Sequence, residues 1–199
     1  MKIENKSLLQ EHHKTVLLQQ LYAPYLKCIM CPLGGLERKN VVFGEGNVDS
    51  LLFFIGEAPG KHEDATGMPF QGRSGSFLEK AFEETGINRN DVFITNIVKC
   101  RPPRNRKPSP LEMKTCKNLL LLHQIEIIKP KVLCTLGQAA LEGLLNRKVK
   151  ISEQRGIILP YFDKKIIPTY HPAYVIRNQN LLETFIKDIN LAIKTANTP

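Results

Sequence analysis

Apolar runs and amphipathic stretches alternate along the chain. Short runs rich in aromatic, β-branched and other apolar residues predict strands at 40–46, 51–56, 91–98, 131–137 and 164–170. Apolar residues at helical spacing predict helices at 7–23, 76–85 and 138–145. Two more helices are predicted from capping pairs, Ser109 with Glu112 and Asn180 with Glu183, and extend to about 129 and about 194. Strands alternating with helices indicate an α/β fold whose mostly parallel sheet is covered on both faces.

Three predicted strand ends carry residues suited to a ligand, which parallel sheets bind at their carboxyl edge. The stretch Gly56–Gly60 lacks the spacing of a phosphate-binding loop, but its glycines allow close backbone approach to a ligand. The Asn96 amide can read the edge of a base or bond the local backbone. Phe70 is either a core plug or a stacking platform for a flat ligand. His171 follows the last strand, where a lone histidine is more often structural than catalytic.

Composition and charge indicate a globular chain with an anionic partner. The 199 residues, 42% apolar and 24% charged, form one domain with a substantial core. The net charge of +9 favours a polyanion, and nucleic acid is preferred because one proline-rich segment concentrates the cations Lys99, Arg101, Arg104, Arg106 and Lys107. No apolar run is long enough to cross a bilayer and no secretory signal pattern opens the chain, so we expect a cytoplasmic monomer with no membrane partner.

Four of the five cysteines have the spacing of a metal site. Cys28 and Cys31 form a C-x2-C pair, and Cys100 and Cys116 form a C-x15-C pair. Cys134 lies in a strand-like run and is expected to be a small buried hydrophobe. A disulfide framework is not expected in a reducing compartment. Four thiolates suit either zinc or an iron–sulfur cluster, and the C-x2-C pair alone slightly favours zinc.

Taken together, these motifs resemble family 4 of the uracil-DNA glycosylase superfamily, whose members carry an iron–sulfur cluster. The resemblance rests on "GEAPG", "ED", "PFQGRSG", "TNIVKCRPPRNRKP" and "HPAYVIR", together with the order of the four cysteines, and covers roughly residues 28–177. It implies a three-layer α/β/α sandwich around a central four-stranded parallel sheet. It also implies a single domain over 1–199, with segment 1–40 packed onto it through the cluster.

The implied reaction is hydrolysis of the bond between uracil and deoxyribose in single- or double-stranded DNA, which leaves an abasic site. In this resemblance Phe70 stacks on a flipped uracil, Asn96 reads its N3–O4 edge and His171 bonds O2. Glu57 organises the attacking water or stabilises the cationic sugar, because Ala58 stands where other families carry an aspartate. Glu63 resembles the glutamate that excludes the thymine methyl group, although it could equally cap a loop together with Asp64. The implied uracil contacts are Gly56, Glu57, Ala58, Gly60, Glu63, Phe70, Asn96 and His171.

The resemblance also implies the DNA contacts and the cofactor. DNA contacts are expected from Arg73, Arg101, Arg104, Arg106, Lys107, Tyr174, Val175, Ile176 and Arg177, of which the apolar residues 174–176 form a minor-groove wedge. The implied ligands of a [4Fe–4S] cluster with a structural role are Cys28, Cys31, Cys100 and Cys116. Met68 and Gln71 depart from the family pattern, which carries arginine and an aliphatic residue there, so a phosphate contact is in doubt.

Two other functions are less favoured by the sequence than a glycosylase. A protein of the same fold could hold uracil-containing DNA without turnover or tether it covalently, but the inserted basic segment with an extra histidine found in such a relative is absent here. An iron–sulfur electron carrier would favour C-x2-C-x2-C spacing, which is also absent from the sequence. No lysine matches a family nucleophile, so the expected enzyme is a monofunctional hydrolase.

Overall fold

The computed structural model describes residues 2–198, with side chains described from residue 10 onward. The strands are β1 Glu45–Gly46, β2 Leu52–Gly56, β3 Phe93–Asn96, β4 Val132–Leu136, β5 Leu159–Tyr161 and β6 Lys164–Thr169. The helices are α1 Lys2–Tyr22, α2 Lys61–Thr66, α3 Arg73–Thr85, α4 Pro110–Cys116, α5 Leu122–Ile128, α6 Gln138–Leu145, α7 Ile151–Gln154, α8 Pro172–Arg177 and α9 Leu182–Asn197. A π-helical segment, Lys117–Leu121, joins α4 to α5.

The strands form one sheet in the order β1-β3-β2-β4-β6-β5. The four central strands are parallel, as the resemblance implied, whereas β1 and β5 pair antiparallel at the two edges. The sheet therefore has six strands rather than the four predicted. The edge strand β5 escaped prediction because it has only three residues and contains Pro160, which is tolerated at a sheet edge. The chain runs from β2 outward to β3 and then crosses back to β4 on the other side of β2. The direction of strand addition therefore changes between β2 and β4, which is where such sheets bind ligands.

Alternating residues of the strands build a separate core on each face of the sheet. Phe53 faces a core formed with α1, α4, α5 and α6, while the next residue, Phe54, faces a core formed with α3, α8 and α9. All residues of β2, β3 and β4 are buried. Burial on both faces explains why these strands appear in the sequence as continuous apolar runs. The result is a three-layer α/β/α arrangement.

Most of the predicted elements are present with shifted ends. The Ser109 cap is confirmed: its side chain accepts the Glu112 N–H, and the Glu112 carboxylate accepts the Ser109 N–H in return. The predicted strand 40–46 is wrong except for β1. The Asn180 cap is also wrong, because α9 follows Leu181 without a side-chain cap. Helices α2 and α8 have only six residues each, and the sequence pattern did not distinguish them from loops.

The N-terminal segment lies against the first of these cores. Leu18 and Leu33 are buried in it, and Tyr22 stacks on Phe43 with ring centroids 4.2 Å apart. Asp64 of α2 accepts the backbone N–H of Lys39 at 2.9 Å. These contacts join residues 10–40 to the sheet. Within residues 2–198, no helix is both long and apolar enough to cross a membrane.

Candidate active site

One cavity of about 490 Å³ lies at the carboxyl ends of the parallel strands. It is lined by Glu57, Ala58, Pro59, Gly60, Glu63, Phe70, Ser74, Asn96, Pro102, Asn105, Arg106, His171, Ala173, Tyr174 and Arg177. Glu57 follows β2, Asn96 ends β3 and His171 follows β6, so three strand ends deliver these side chains to the same place. Phe70 comes from the loop between α2 and α3. The structure thus brings together the residues for which the resemblance implied a shared ligand.

Gly56 leaves room for two of these side chains to meet. A Cβ atom at this position would collide with the Asn96 Oδ1 and would lie 2.6 Å from the Cζ of Phe70. Gly56 therefore lies beneath the cavity floor rather than on its surface. Because it has no side chain, Asn96 and Phe70 can pack against each other above it. Phe70 is only 6% exposed and has a left-handed backbone with a φ of 51°. A bulky residue in this conformation is strained, so surrounding contacts must hold it there.

Asn96 ends β3 with its side-chain amide free for a ligand. The residue is 2% exposed and pairs with Gly56 in the sheet. Within the described part of the chain its amide has no hydrogen-bond partner, while its backbone carbonyl accepts a bond from Lys99. The amide lines the cavity, so a ligand there can use both its donor and its acceptor. This geometry favours base reading over the local backbone bond considered from the sequence.

His171 is held as a neutral imidazole with a defined tautomer. Its Nδ1 accepts the backbone N–H of Ala173 at 3.1 Å, so the proton of the neutral ring lies on Nε2. The pKa of His171 is lowered to about 4. Burial is the main cause and the nearby Arg177 cation adds to it, while Glu63 opposes the shift. The ring centroid lies 6.1 Å from that of Phe70 with an interplanar angle of 30°. His171 can therefore donate from Nε2 at neutral pH beside an aromatic face.

Glu57 supplies the carboxylate at the mouth of the cavity. Burial raises the pKa of its carboxyl group, an effect opposed by Lys107 and reinforced by Glu142. Its backbone carbonyl accepts the Val98 N–H at 3.3 Å, which ties the residue to the segment after β3. A carboxylate with a raised pKa is a better proton acceptor than an ordinary glutamate.

Glu63 has a structural function that the sequence left open. Its carboxylate accepts three backbone N–H groups, from Gly60 at 3.0 Å and from Gln71 and Gly72 at 2.9 Å each. These bonds join the loop after β2 to the loop that carries Phe70. Glu63 also lines the cavity, so the thymine-excluding role remains a prediction beside the loop-capping role.

The basic segment is less available to DNA than its sequence suggests. Lys99 is fully buried and cannot contact DNA. Counting it among the cations of the basic segment that favour nucleic acid was therefore wrong. Arg106 forms two hydrogen bonds with Glu112, at 2.8 and 2.7 Å, and Lys107 pairs with Glu142 at 2.6 Å. Arg101 donates to the side chain of Asn105 at 2.8 Å, and Arg104 is exposed.

The segment after His171 forms α8 beside the cavity. Tyr174 is 44% exposed and lines the cavity together with Arg177, while Ile176 is half-buried. Val175 is fully buried in the core against α3 and α9, which corrects its assignment as a DNA contact. Arg73 is exposed at the start of α3 and does not line the cavity. The exposed part of the expected wedge is therefore Tyr174.

Four cysteines line a second, apolar pocket formed by the N-terminal segment and the segment after β3. Cys28 and Cys31 are half-buried, while Cys100 and Cys116 are buried. In the described residues, however, no three Cys, His, Asp or Glu side chains are close enough to form a ready-made metal site. Burial raises the pKa of Cys100 to about 12 and that of Cys116 to about 11. Four thiols around one apolar pocket are a donor set that suits an iron–sulfur cluster or zinc. Cys134 is fully buried in β4, as predicted.

Several lining residues were missed by the sequence. Ser74 begins α3, Pro102 and Asn105 lie in the basic segment, and Ala173 lies in α8. The motif "PFQGRSG" contains Ser74 and "RPPRN" contains Pro102 and Asn105, so the signal was present. The motifs alone do not show which of their residues point into the cavity.

Comparison with known proteins places this geometry in a family. The sequence-family model of the uracil DNA glycosylase superfamily matches residues 43–194. The chain belongs to the uracil DNA glycosylase superfamily. All the strand ends that line the cavity fall within the matched range.

Curated relatives support the type-4 branch that the motifs indicated. The chain is 48% identical over 170 residues to a type-4 uracil-DNA glycosylase of Thermotoga maritima, a match covering 83% of this chain and 88% of the relative. It is 42% identical to the type-4 enzyme of Saccharolobus solfataricus, covering 81% of this chain and 78% of the relative. It is 38% identical to the type-4 enzyme of Pyrobaculum aerophilum, covering 86% and 91%. The resemblance derived from the motifs is therefore confirmed.

Proposed function

We propose that the protein is a DNA repair glycosylase that flips uracil out of DNA and hydrolyses its N-glycosidic bond. The observation that carries this proposal is the single cavity on which Phe70, Asn96 and His171 converge. A base inside a duplex is inaccessible to attack, so such an enzyme needs a pocket that stacks on the extruded base and reads its edge. The aromatic ring, the free amide and the neutral imidazole supply these functions at three sides of one space.

Uracil is selected by the polarity of the Asn96 amide. Its carbonyl accepts the N3–H of uracil and its NH₂ group donates to O4, whereas cytosine presents the opposite donor and acceptor at both positions. A fixed amide therefore leaves two polar groups mispaired when cytosine enters. Sites built on such hydrogen bonds discriminate much more strongly than sites that sense size alone.

His171 stabilises the departing base. When the bond between C1′ and N1 breaks, its electron pair moves onto the uracil ring, and negative charge develops at O2. The Nε2–H of His171 donates to that oxygen, and a preplaced donor of this kind lowers the barrier by ~3–4 kcal/mol. Because the imidazole is neutral at physiological pH, it stabilises the uracil anion without transferring a proton to it.

Glu57 completes the hydrolysis. Its carboxylate faces the oxocarbenium-like sugar, holds a water molecule for attack at C1′ and accepts the proton that this water loses. Glu57 releases this proton to solvent and the uracil anion takes up a proton from solvent, so the products are free uracil and an abasic deoxyribose. Among the described residues no lysine lines the cavity, and hydrolysis by water requires none.

DNA binds over the mouth of the cavity in this proposal. Arg73, Arg101, Arg104 and Arg177 contact phosphates, with Arg106 and Lys107 held nearby by their carboxylate partners. Tyr174 and Ile176 fill the gap left by the flipped base. Residues 1–199 act as one domain, in agreement with the burial of Leu18 in the main core. The cytoplasmic, monomeric state expected from the sequence remains a prediction.

Cys28, Cys31, Cys100 and Cys116 would hold a [4Fe–4S] cluster. Such a cluster would supply a structural cross-link, since glycosidic hydrolysis needs no electron transfer. Arg38 supports this segment by donating to the backbone carbonyls of Cys28 at 2.7 Å and Gly34 at 3.1 Å. The same cross-link would join the N-terminal segment to the basic segment beside the cavity.

The proposal is tested by uracil excision from labelled oligonucleotides that contain U·G, U·A or single-stranded uracil. Alkali should cleave the strand at the uracil position after incubation with the protein, and free uracil should be recovered. An uncut strand in all three contexts, with an authentic glycosylase cutting each, would contradict the proposal. A protein–DNA complex that survives denaturation would instead support covalent tethering. Iron and sulfide analysis of the same preparation tests the cluster.

A further inference from the structure

Lys99 is a buried lysine at the junction of the two sites. Its side chain is fully buried, and its Nζ donates to the backbone carbonyl of Asn96 at 2.7 Å and to the Thr95 Oγ1 at 2.5 Å. Its backbone N–H donates to the Sγ of Cys116 at 3.3 Å. One residue therefore touches both the strand end that carries the base-reading amide and a sulfur of the cysteine pocket.

We infer that Lys99 is a positioning residue that fixes Asn96 for uracil recognition and is itself anchored on the cysteine pocket through Cys116. This inference rests on the proposed function. The amide of Asn96 lacks a partner in the described chain, so its own bonds do not fix its orientation. The backbone carbonyl of the same residue, by contrast, accepts a hydrogen bond from the Lys99 Nζ at 2.7 Å, which holds the backbone from which the amide extends.

Burial makes this contact stiff. A buried amino group must keep its acceptors in either protonation state, so displacement of the Asn96 carbonyl would leave a buried donor unsatisfied at a cost in free energy. Thr95 is held in turn, because its hydroxyl donates to the Phe43 carbonyl at 2.7 Å. Beyond Asn96, the Ile97 N–H bonds the Gly56 carbonyl at 2.9 Å, which keeps the chain directed over the cavity.

The anchor on Cys116 gives the cysteine pocket a way to influence base recognition. The segment 96–99 forms a loop closed by the bond from Lys99 to Asn96, and the backbone at the far end of this loop contacts Cys116. A shift of the cysteine therefore moves the base of the lysine side chain. The pocket supports the uracil site through this loop.

A double-mutant cycle separates positioning from general stability. The variants are Lys99→Met, Asn96→Ala and the double variant, with single-turnover uracil excision measured at saturating enzyme. Methionine keeps the length of the stem and removes the donors. In the wild-type background we expect Lys99→Met to slow excision ~10²-fold, because a small misplacement of a reading group has this effect. In the Asn96→Ala background we expect less than about a threefold further loss, since the group being positioned is gone.

Lys117→Met is the matched control. Lys117 is also a buried lysine beside Cys116, but its Nζ donates to the Leu144 carbonyl at 3.3 Å, away from the uracil cavity. We expect it to change the excision rate less than about threefold. Iron and sulfide content, visible absorbance and the dissociation constant for uracil-containing DNA should be unchanged in Lys99→Met, which a merely structural role would not predict.

An equal loss in both Asn96 backgrounds, or loss of iron in Lys99→Met, would overturn the inference while leaving an active wild-type enzyme. If the wild-type protein excises no uracil, the proposed function fails first and the inference fails with it. Should Lys99→Met not fold, Thr95→Val removes one of the two acceptors. The same dependence on Asn96 is then expected, with a smaller loss, and its absence would refute the inference.

Discussion

The neutral state of His171 has a measurable cost in acid. Its pKa falls from 6.5 to about 4 in the folded protein, chiefly because the ring is buried. Between pH 6.5 and pH 4 the imidazole of His171 is protonated in the unfolded chain but neutral in the folded chain. The free energy of unfolding therefore decreases as the pH falls through this range. Above pH 6.5 this penalty is absent. At pH 4.5, proton linkage between these two pKa values gives a loss of about 2 kcal/mol relative to pH 7.

The assay is urea unfolding of wild-type protein and His171→Gln at pH 7 and pH 4.5. Other acid-sensitive groups act equally in both proteins, so the difference between their losses isolates His171. We expect the wild type to lose about 2 kcal/mol more than His171→Gln on acidification. His62→Gln, which removes an exposed imidazole on α2, controls for loss of a histidine. Parallel losses in wild type and His171→Gln, within about 0.5 kcal/mol, would refute a neutral buried imidazole and with it the proposed O2 donor.

Three further substitutions test the remaining parts of the site. Asn96→Ala should slow single-turnover excision by ~10²–10³-fold with little change in DNA affinity, and a loss under tenfold would contradict its role as the base reader. Gly56→Ala should lower the free energy of unfolding by ~1–3 kcal/mol, because the added Cβ displaces Phe70 and Asn96. Unfolding free energy and excision rate should fall together. An active, stable variant would show that the close packing is dispensable. Arg104→Ala should weaken DNA binding and reduce the salt slope by about 1, measured from dissociation constants at several salt concentrations. Arg106→Ala is its comparison and should affect the salt slope less, because Arg106 already pairs with Glu112; equal slopes for the two variants would contradict this distinction.

The strand ends were predictable because the central strands are buried on both faces. Continuous apolar runs marked β2, β3 and β4. Asn96 and Glu57 stood out because each is a polar residue at or directly after the end of such a run. A base-reading role for Asn96, however, came from the resemblance. The position of Phe70 between two glycine-rich turns gave no indication of its left-handed backbone.

Residues that depend on distant partners could not be placed from the sequence. Lys99 stands among arginines that reach solvent, yet the turn after β3 directs it back to the Asn96 carbonyl. Val175 looked like part of an exposed wedge, but α8 turns it into the core. The three amides gathered by Glu63 belong to residues up to nine positions away, which neither periodicity nor capping rules reveal. The short edge strand β5 lacked enough residues to show any alternation.

The central claim is that one extruded base is held by the ring, the amide and the imidazole of a single cavity. The most direct measurement is a crystal structure of the protein with uracil-containing DNA, trapped with a sugar analogue that resists hydrolysis. The account predicts the Asn96 amide within about 3 Å of N3 and O4, the His171 Nε2 at a similar distance from O2, and the Phe70 ring stacked on the same base. A flipped uracil in another pocket, or one that contacts neither Asn96 nor His171, would contradict it.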